Sequence, residues 1–442
     1  MKRKVLSAAA CFAGLTLLLC SCSKVSYIYE KAAEDTVNLR LCWNWSDSGV
    51  KSDTFTEIIN SFSAKNLSVN IESEFSGNDT FYQKLQIDFA SNNAPDILST
   101  RPGNTINRLM GASMLADLSE IYEKNDGRLK KMIEHNSLNT LSQNGKIYGI
   151  PFEKKYVFLY VNKDIFSFCG AKIPTTFSEL EDAVLKIKSN NIIPIAFSAS
   201  DDYLYQAIVG RLSGAELEQT IKNGAPSDAY KNGIEFLKHL QQLGAFPKNF
   251  ISASQEEAAA LFTTKKAAMI MRDSGFISTI YSSVQDGSSD LYDSETTPFK
   301  IVCFPQANEF SIGSSSVFLT SYLSGLGDAT FFASAKSFEN PAKKNALEDF
   351  FEYLTEEANV SLLLENGKFD PAVTITPDSK YYSPLTTQLS LNILAAHEFL
   401  PMPDLIAPES IWNRDIVDKM PLMFLNEISP DEMVDTLFDD IK

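Results

Sequence analysis

The sequence predicts an α/β fold, because patterns typical of strands and of helices alternate along most of its 442 residues. Three patterns carry the prediction: alternating apolar and polar residues, short continuous apolar runs, and apolar residues at helical spacing. The composition agrees, since 44% hydrophobic and 11% aromatic residues are typical of a globular protein and not of a disordered chain. The length allows two or three domains of about 150 residues each.

The first predicted elements are two strands with a helix between them. Val37–Trp43 and Val69–Phe75 alternate apolar with polar residues, the pattern of strands with one buried face. An apolar stripe between them predicts a helix that covers a sheet, and it consists of Phe55, Ile58, Ile59 and Phe62.

Two continuous apolar runs follow, at residues 157–161 and 192–197, and they predict strands that are covered on both faces. Thr176 and Glu179 have the spacing of a capping box, so we expect a crossover helix to begin there.

Two more helices are predicted nearer the C terminus. Each starts with an N-cap residue followed by proline at the first helical position, at Asn340-Pro341 and at Ser429-Pro430. We interpret the acidic residues of the last helix as a solvated face and not as a cation site.

The N terminus predicts export. Three basic residues precede an apolar run at residues 5–19, which is too short to span a bilayer comfortably. The run ends in a Leu-x-Ser-Cys pattern at Cys22 that resembles a bacterial lipobox. This implies a signal peptide over residues 1–21, acylation of Cys22 and a tether over residues 22–36. The alternative is an ordinary signal peptide that is cleaved elsewhere.

Three cysteines, Cys42, Cys169 and Cys303, remain in the predicted folded part. Each lies in an apolar setting without a Cys-x-x-Cys pattern, so we expect free, buried thiols. One disulfide with a spare thiol is the alternative, because an exported compartment permits it.

Composition and motifs exclude several classes of function. The net charge of −17 argues against nucleic acid as a partner, and three histidines leave little for metal sites. A possible dinucleotide motif at Gly325 has Thr330 at its third glycine position, and a possible zinc motif at His397 has Pro401 at its second ligand. We expect no cofactor, no metal and no visible catalytic centre.

A series of segments in order resembles the extracellular solute-binding proteins of family 1, the substrate receptors of carbohydrate ABC importers related to maltose-binding protein. The main segments are residues 144–153 and 159–166; the others are residues 82–85, 94–97, 115–118, 174–177, 267–271, 332–335 and 340–341. The resemblance implies a two-lobed, type II periplasmic-binding-protein-like fold. Each lobe would be a mixed sheet flanked by helices, with hinge strands between the lobes.

The resemblance also implies the domain boundaries and the function. We expect one lobe over residues 37–150 and 328–368, and the other over residues 151–327 and 369–442. The predicted protein is a monomeric, extracytoplasmic, lipid-anchored receptor, not an enzyme. It would capture a small polar solute, most simply a carbohydrate, by hinge closure and present it to an ABC permease.

The candidate ligand-binding residues lie mainly in loops that follow predicted strands, because solutes in such folds bind beyond the carboxyl ends of strands. They are Asn44, Trp45, Asp47, Arg101, Glu153, Asp202, Tyr203, Arg272, Asp273, Phe276 and Trp412. We expect Trp45 and Trp412 to stack on a sugar face. Trp43 is open to two interpretations, as a core residue or as a solute contact.

The resemblance leaves alternatives open. Relatives carry tryptophan at two stacking positions where this sequence lacks it, near Arg101 and Arg272. One alternative is that Arg101 or Arg272 faces an acidic sugar or another polar solute. The other is that these arginines form salt bridges with surface acids. The rival functions are an exported hydrolase that uses paired cleft carboxylates and a family member that acts only as a sensor or adhesion subunit.

Overall fold

A computed structural model describes twelve stretches of the chain: residues 36–45, 50–133, 138, 140–214, 216–223, 228–283, 297–305, 322–324, 329–365, 372, 383–396 and 398–441. The predicted signal peptide, nearly all of the predicted tether, Cys22 and Asp47 lie outside these residues. None of the described helices has the length and apolar character that a membrane span requires.

The first sheet has five strands in the order β2-β1-β3-β12-β6. They are β1 (Val37–Trp43), β2 (Val69–Phe75), β3 (Ile97–Thr100), β6 (Gly149–Pro151) and β12 (Thr330–Ala333). β1 lies parallel to β2 and β3, whereas β12 lies antiparallel to β3 and β6. This sheet is therefore mixed.

The second sheet has six strands in the order β13-β11-β7-β9-β8, with β10 also paired to β7. They are β7 (Val157–Asn162), β8 (Ile193–Ala196), β9 (Ala267–Asp273), β10 (Phe299–Val302), β11 (Tyr322–Ser324) and β13 (Glu398–Leu400). It is also mixed, since β8 and β9 are parallel and β7 and β9 antiparallel. A short hairpin joins β4 (Ser142–Gln143) to β5 (Lys146–Ile147).

Helices flank the two sheets. The first group comprises Val50–Lys65, Asn78–Ala90, Asn104–Gly111, Ser119–Met132, Ala335–Phe338, Pro341–Leu354 and Glu357–Glu365. The second comprises Lys163–Phe168, Phe177–Ser189, Tyr203–Ser213, Glu216–Asn223, Asp228–Leu243, Gln255–Thr263, Phe276–Ser282, Pro384–Ala395, Glu409–Trp412, Met420–Phe424 and Pro430–Asp440. A 3-10 turn at Pro403–Ile406 and a π-helical turn at Asn413–Val417 complete the described helical structure.

The α/β prediction is confirmed, and the predicted early and central elements are present. β1 and β2 pair directly, and the helix Val50–Lys65 buries the whole predicted apolar stripe. β7 is buried along its full length, as predicted for a strand covered on both faces. The structure adds that β9 lies between β7 and β8, which the sequence pattern did not reveal.

The predicted helix starts are confirmed, with one difference. Asn340 and Ser429 accept hydrogen bonds from backbone N–H groups of their helices. Thr176 likewise accepts from the backbone N–H of Glu179 at 3.2 Å, but the Glu179 carboxylate accepts from the backbone N–H of Thr175 at 2.8 Å. The reciprocal half of the predicted capping box is thus displaced by one residue.

The apolar cores follow the two sheets. One large cluster packs around β1, β3, β6 and β12, and another packs around β7, β9 and the helices beside them. Trp43 is a member of the first cluster, which decides its interpretation in favour of the core. The separate cores support the proposed lobe boundaries, which stay a prediction.

The three described cysteines are free thiols, as predicted. Cys42 is buried, whereas Cys169 and Cys303 are only partly buried, so the prediction of burial was correct for one of them. Burial raises the pKa of the Cys42 thiol to about 11, so this thiol is inert near neutral pH. Cys42 therefore contributes to packing.

Candidate functional site

A cavity of about 210 Å³ lies where several loops meet at the carboxyl ends of strands. β3, β8, β9 and β13 end beside it, in agreement with the general position of ligands in open α/β sheets. Its lining residues are Arg101, Lys155, Val157, Asp202, Tyr203, Gln206, Gln255, Asp273, Met402, Asp404, Leu405, Glu409, Trp412 and Asn413. A mixed polar and aromatic wall of this kind fits a polyhydroxylated solute.

The two halves of the molecule touch beside this cavity. Arg101, which follows β3 of the first sheet, forms an ion pair with Asp404, which follows β13 of the second. Next to it, the side-chain amide of Asn104 donates to the carbonyl of Ile406 at 3.4 Å. A small gap of about 20 Å³ at this contact shares Arg101 and Asp404 with the main cavity. These residues therefore belong to one cleft between the sheets.

Asp202 occupies one wall of the cavity. Its Oδ2 accepts a hydrogen bond from the indole N–H of Trp412 at 2.6 Å and another from the side-chain amide of Gln206 at 2.8 Å. Burial raises the pKa of Asp202 to about 6, and the negative charge of Asp404 adds to this effect. Asp202 is therefore an ionised but poorly solvated acceptor at neutral pH.

Tyr203, Asp273 and Lys155 form a second polar group on the wall. The hydroxyl of Tyr203 donates to Asp273 Oδ2 at 2.9 Å, and the ammonium of Lys155 lies 3.6 Å from the same oxygen. Tyr203 begins a helix immediately after Asp202, and Asp273 ends β9. The structure brings five of the predicted cleft residues together at the cavity: Arg101, Asp202, Tyr203, Asp273 and Trp412.

Three other predicted residues do not line this cavity. Arg272 is buried and forms an ion pair with Asp201. Phe276 packs in an apolar core cluster, and Glu153 is buried beside the crossing between the sheets, with only 1% of its surface exposed. Because the carboxylate of Asp201 pairs with Arg272, this guanidinium is not directed at an acidic sugar in this arrangement.

The predicted residues after β1 lie nearer the small gap than the main cavity. Asn44 is buried, and its side chain lies beside the hydroxyl of Tyr82, a residue that lines the gap. The indole N–H of Trp45 donates to Ser99 Oγ at 2.9 Å, and its ring packs against Trp43. Trp45 does not line either of the two spaces, so its stacking on solute stays a prediction.

Trp412 lines the cavity but is only 1% exposed. Its ring stacks against Tyr205 with centroids 6.0 Å apart and meets Tyr230 edge to face. Little of the indole face is therefore accessible in this arrangement. The indole N–H of Trp412 donates a hydrogen bond to Asp202, which holds that carboxylate in place.

Sequence reasoning missed Asp404, the residue that joins the two halves of the cleft. Asp404 is 8% exposed, and its backbone N–H donates to Gln206 Oε1 at 3.2 Å. It follows β13, so the rule that loops after strands carry the site would have pointed to it. That strand is only three residues long, Glu398–Leu400, and it has no recognisable pattern of its own.

The comparisons with known proteins agree with this architecture. Residues 47–295, more than half of the chain, match the model of the bacterial extracellular solute-binding protein family. The chain belongs to that family. Its members bind solutes outside the cell and are not enzymes, so the rival interpretation as a hydrolase is set aside.

Individual members of this family are distant in sequence. A multiple sugar-binding protein of Streptococcus mutans is 22% identical over 269 residues, which is 58% of this chain and 61% of that protein. The match thus spans less than two thirds of the relative.

Solved structures match over most of the chain. A structure from work on xylan utilization by Caldanaerobius polysaccharolyticus has a TM-score of 0.68 and 25% identity, and the match covers 92% of this chain and 100% of that one. A chitin oligosaccharide binding protein has a TM-score of 0.71 and 19% identity, and the match covers 92% and 98%. These matches agree with the two-lobed fold.

Proposed function

We propose that this chain is the substrate-binding component of a carbohydrate ABC importer. The observation that carries the proposal is the cavity between the two sheets, where hydrogen-bonding side chains from both halves of the molecule converge. The similar proteins point to the same class of solute, since they include a multiple sugar-binding protein, a protein from work on xylan utilization and a chitin oligosaccharide binding protein.

In this proposal the solute is captured by hinge closure. Residues 37–150 and 328–368 form one lobe, residues 151–327 and 369–442 form the other, and solute contacts both lobes only when they approach. That difference in contacts shifts the population toward the closed form. The contact between Arg101 and Asp404 supports this, since it joins the two sheets beside the cavity.

The protein would act as a monomer outside the cytoplasm and deliver its solute to the transmembrane subunits of a permease. Acyl chains on Cys22 would hold it at the membrane. One acyl chain binds a bilayer only marginally, so several chains on one residue are needed for a stable anchor. The Leu-x-Ser-Cys ending of the signal sequence supports this part of the proposal.

Calorimetry on the purified chain tests solute capture. Xylobiose, cellobiose and N,N′-diacetylchitobiose are the sugar probes, with glutamate and spermidine as non-sugar probes. We expect a saturable signal for at least one sugar and none for the non-sugars. A ligand at 100 times its Kd adds about 2.7 kcal/mol to the free energy of unfolding, so a parallel thermal shift is easily seen. Binding of only a non-sugar probe would contradict the carbohydrate assignment.

Small-angle scattering tests hinge closure separately. With the sugar that binds, the radius of gyration is expected to decrease at saturation. An Asp349→Asn variant serves as the matched control, because this aspartate is exposed on the helix Pro341–Leu354, away from the cavity. A radius that stays the same in the presence of bound sugar would contradict closure without contradicting binding.

A further inference from the structure

The side chain of Asp404 has an acceptor that the rest of the described protein leaves unused. Its Oδ2 pairs with Arg101, while its Oδ1 is buried and has no hydrogen-bond partner among the described residues. Leaving a buried acceptor unpaired is unfavourable, so such an atom at the wall of a ligand cavity is suited to a donor from the solute. Asp404 lines both spaces of the cleft, and is 8% exposed.

The charges around this acceptor favour donors over further acceptors. The cavity wall carries two cations, Arg101 and Lys155, against four acidic residues, Asp202, Asp273, Asp404 and Glu409. The guanidinium of Arg101 pairs with Asp404, and the ammonium of Lys155 lies 3.6 Å from Asp273. Both cations of the wall are thus already placed against carboxylates of the same wall.

Asp202 contributes a second acceptor that also favours a hydrogen-bond donor from the solute. Trp412 and Gln206, which donate hydrogen bonds to Asp202, are neutral donors, and the carboxylate of Asp404 repels its charge. A solute hydroxyl or ammonium between Asp202 and Asp404 would relieve this repulsion, whereas a carboxylate or phosphate there would add a third negative charge.

We propose that the cleft selects sugars whose buried end presents hydroxyl or ammonium donors, that it rejects anionic sugars, and that Asp404 is the specificity-determining acceptor. This inference rests on the proposed function. It reverses the earlier possibility that Arg101 or Arg272 receives an acidic sugar, because both guanidinium groups are paired with aspartates.

The test compares probes of different charge by calorimetry at pH 7.5. Xylobiose, cellobiose and N,N′-diacetylchitobiose are neutral, the chitosan disaccharide is cationic, and digalacturonate is anionic. We expect the tightest neutral or cationic probe to bind at least about tenfold more tightly than digalacturonate. Digalacturonate binding that equals or exceeds the others would overturn this inference and leave the proposed function intact. Failure of every sugar to bind would overturn both.

Two variants with opposite expected effects identify the residue responsible. Asp404→Asn keeps an oxygen for Arg101 and replaces the unused acceptor with a donor, so the preference against digalacturonate should fall about tenfold. Arg101→Gln breaks the ion pair but keeps the acceptor, so this preference should stay or increase. Asp349→Asn removes one exposed aspartate charge and should leave the preference unchanged.

The same variants can also contradict the proposed role of Asp404. If Asp404→Asn folds, as judged by its melting curve, and retains the full preference, Asp404 does not determine specificity. If Arg101→Gln weakens the preference against digalacturonate as strongly as Asp404→Asn does, the contact between the sheets determines this preference. The unused acceptor of Asp404 then does not determine it. If Asp404→Asn does not fold, Asp404→Glu replaces it. This variant keeps the charge and should keep the preference, and a folded Asp404→Glu protein that loses the preference would overturn the role of Asp404.

Discussion

Replacing Asp202 with asparagine should stabilise the protein without solute while weakening solute binding. The ionised Asp202 is unfavourable in the folded state because burial removes water from it and Asp404 repels it. Asparagine has nearly the same shape and keeps one oxygen that accepts from Trp412 and Gln206, the two donors that hold Asp202 now. The substitution therefore removes mainly the charge.

The magnitude follows from the pKa of Asp202. The pKa of Asp202 is about 6 in the folded state, against an ordinary value of 3.8. At pH values above both pKa values, this difference lowers the free energy of unfolding by about 3 kcal/mol. Asp202 is only partly buried, so solvent in the cleft reduces this. We expect the Asp202→Asn protein to gain about 1 to 2 kcal/mol at pH 7.5.

The sign of the pH dependence is specific. Between pH values of about 4 and about 6 the folded protein retains a proton on Asp202 that the unfolded chain has already released. The free energy of unfolding of the wild type therefore falls as the pH rises through this window, and the variant lacks this contribution. Arg101, Asp404, Tyr203, Lys155 and Glu409 also face this cavity, and they are the same in both proteins.

Urea unfolding of both proteins at several pH values from 4 to 7.5 measures the difference. The gain in stability should be near zero at pH 4 and should reach its full value by about pH 7. Asp349→Asn is the control, because an exposed aspartate should change stability little at any pH. A variant that is less stable than wild type at pH 7.5, or a gain that is independent of pH, would show that the ionised Asp202 does not destabilise the folded protein.

Three further predictions concern Gly149, Trp412 and Cys22. Gly149→Ala places a methyl group 2.7 Å from Phe332 Cε1, so urea unfolding should show a loss of about 1 to 3 kcal/mol. Trp412→Phe removes the hydrogen bond to Asp202 and should cost about 1.5 to 3 kcal/mol, with weaker sugar binding in calorimetry; unchanged stability would contradict this role. Cys22→Ser should release the protein from the detergent phase into the soluble fraction, and partitioning that survives the change would exclude this cysteine as the lipid site.

Local patterns were sufficient to predict some of the elements and part of the site. Alternation along Val37–Trp43 predicted a strand correctly, and the apolar stripe around Phe55 predicted a helix correctly. When one face of an element is buried, its apolar residues recur every two residues in a strand and about every 3.6 residues in a helix. Asp273 ends the apolar strand β9, and Asp202 lies in the loop that follows β8; both positions can be identified from the sequence.

Residues whose role depends on distant partners were not predictable in this way. Arg101 and Asp404 are 303 residues apart, and nothing near either position indicates the ion pair between them. Arg272 lies near the end of an apolar strand, as a site residue would, yet its guanidinium pairs with Asp201 from another loop.

The sequence alone predicts the α/β class, several early, central and C-terminal elements, the family resemblance and several polar residues at or after strand ends. These features are local, because periodicity, helix caps and strand ends depend on residues that are close together in the sequence. Only the tertiary structure decided that Trp412 is packed against Tyr205, and that Asp404 meets Arg101 across the cleft. Burial, charge pairing and the unpaired acceptor of Asp404 depend on which distant segments the fold brings into contact. The spacing of residues in the sequence does not indicate those contacts.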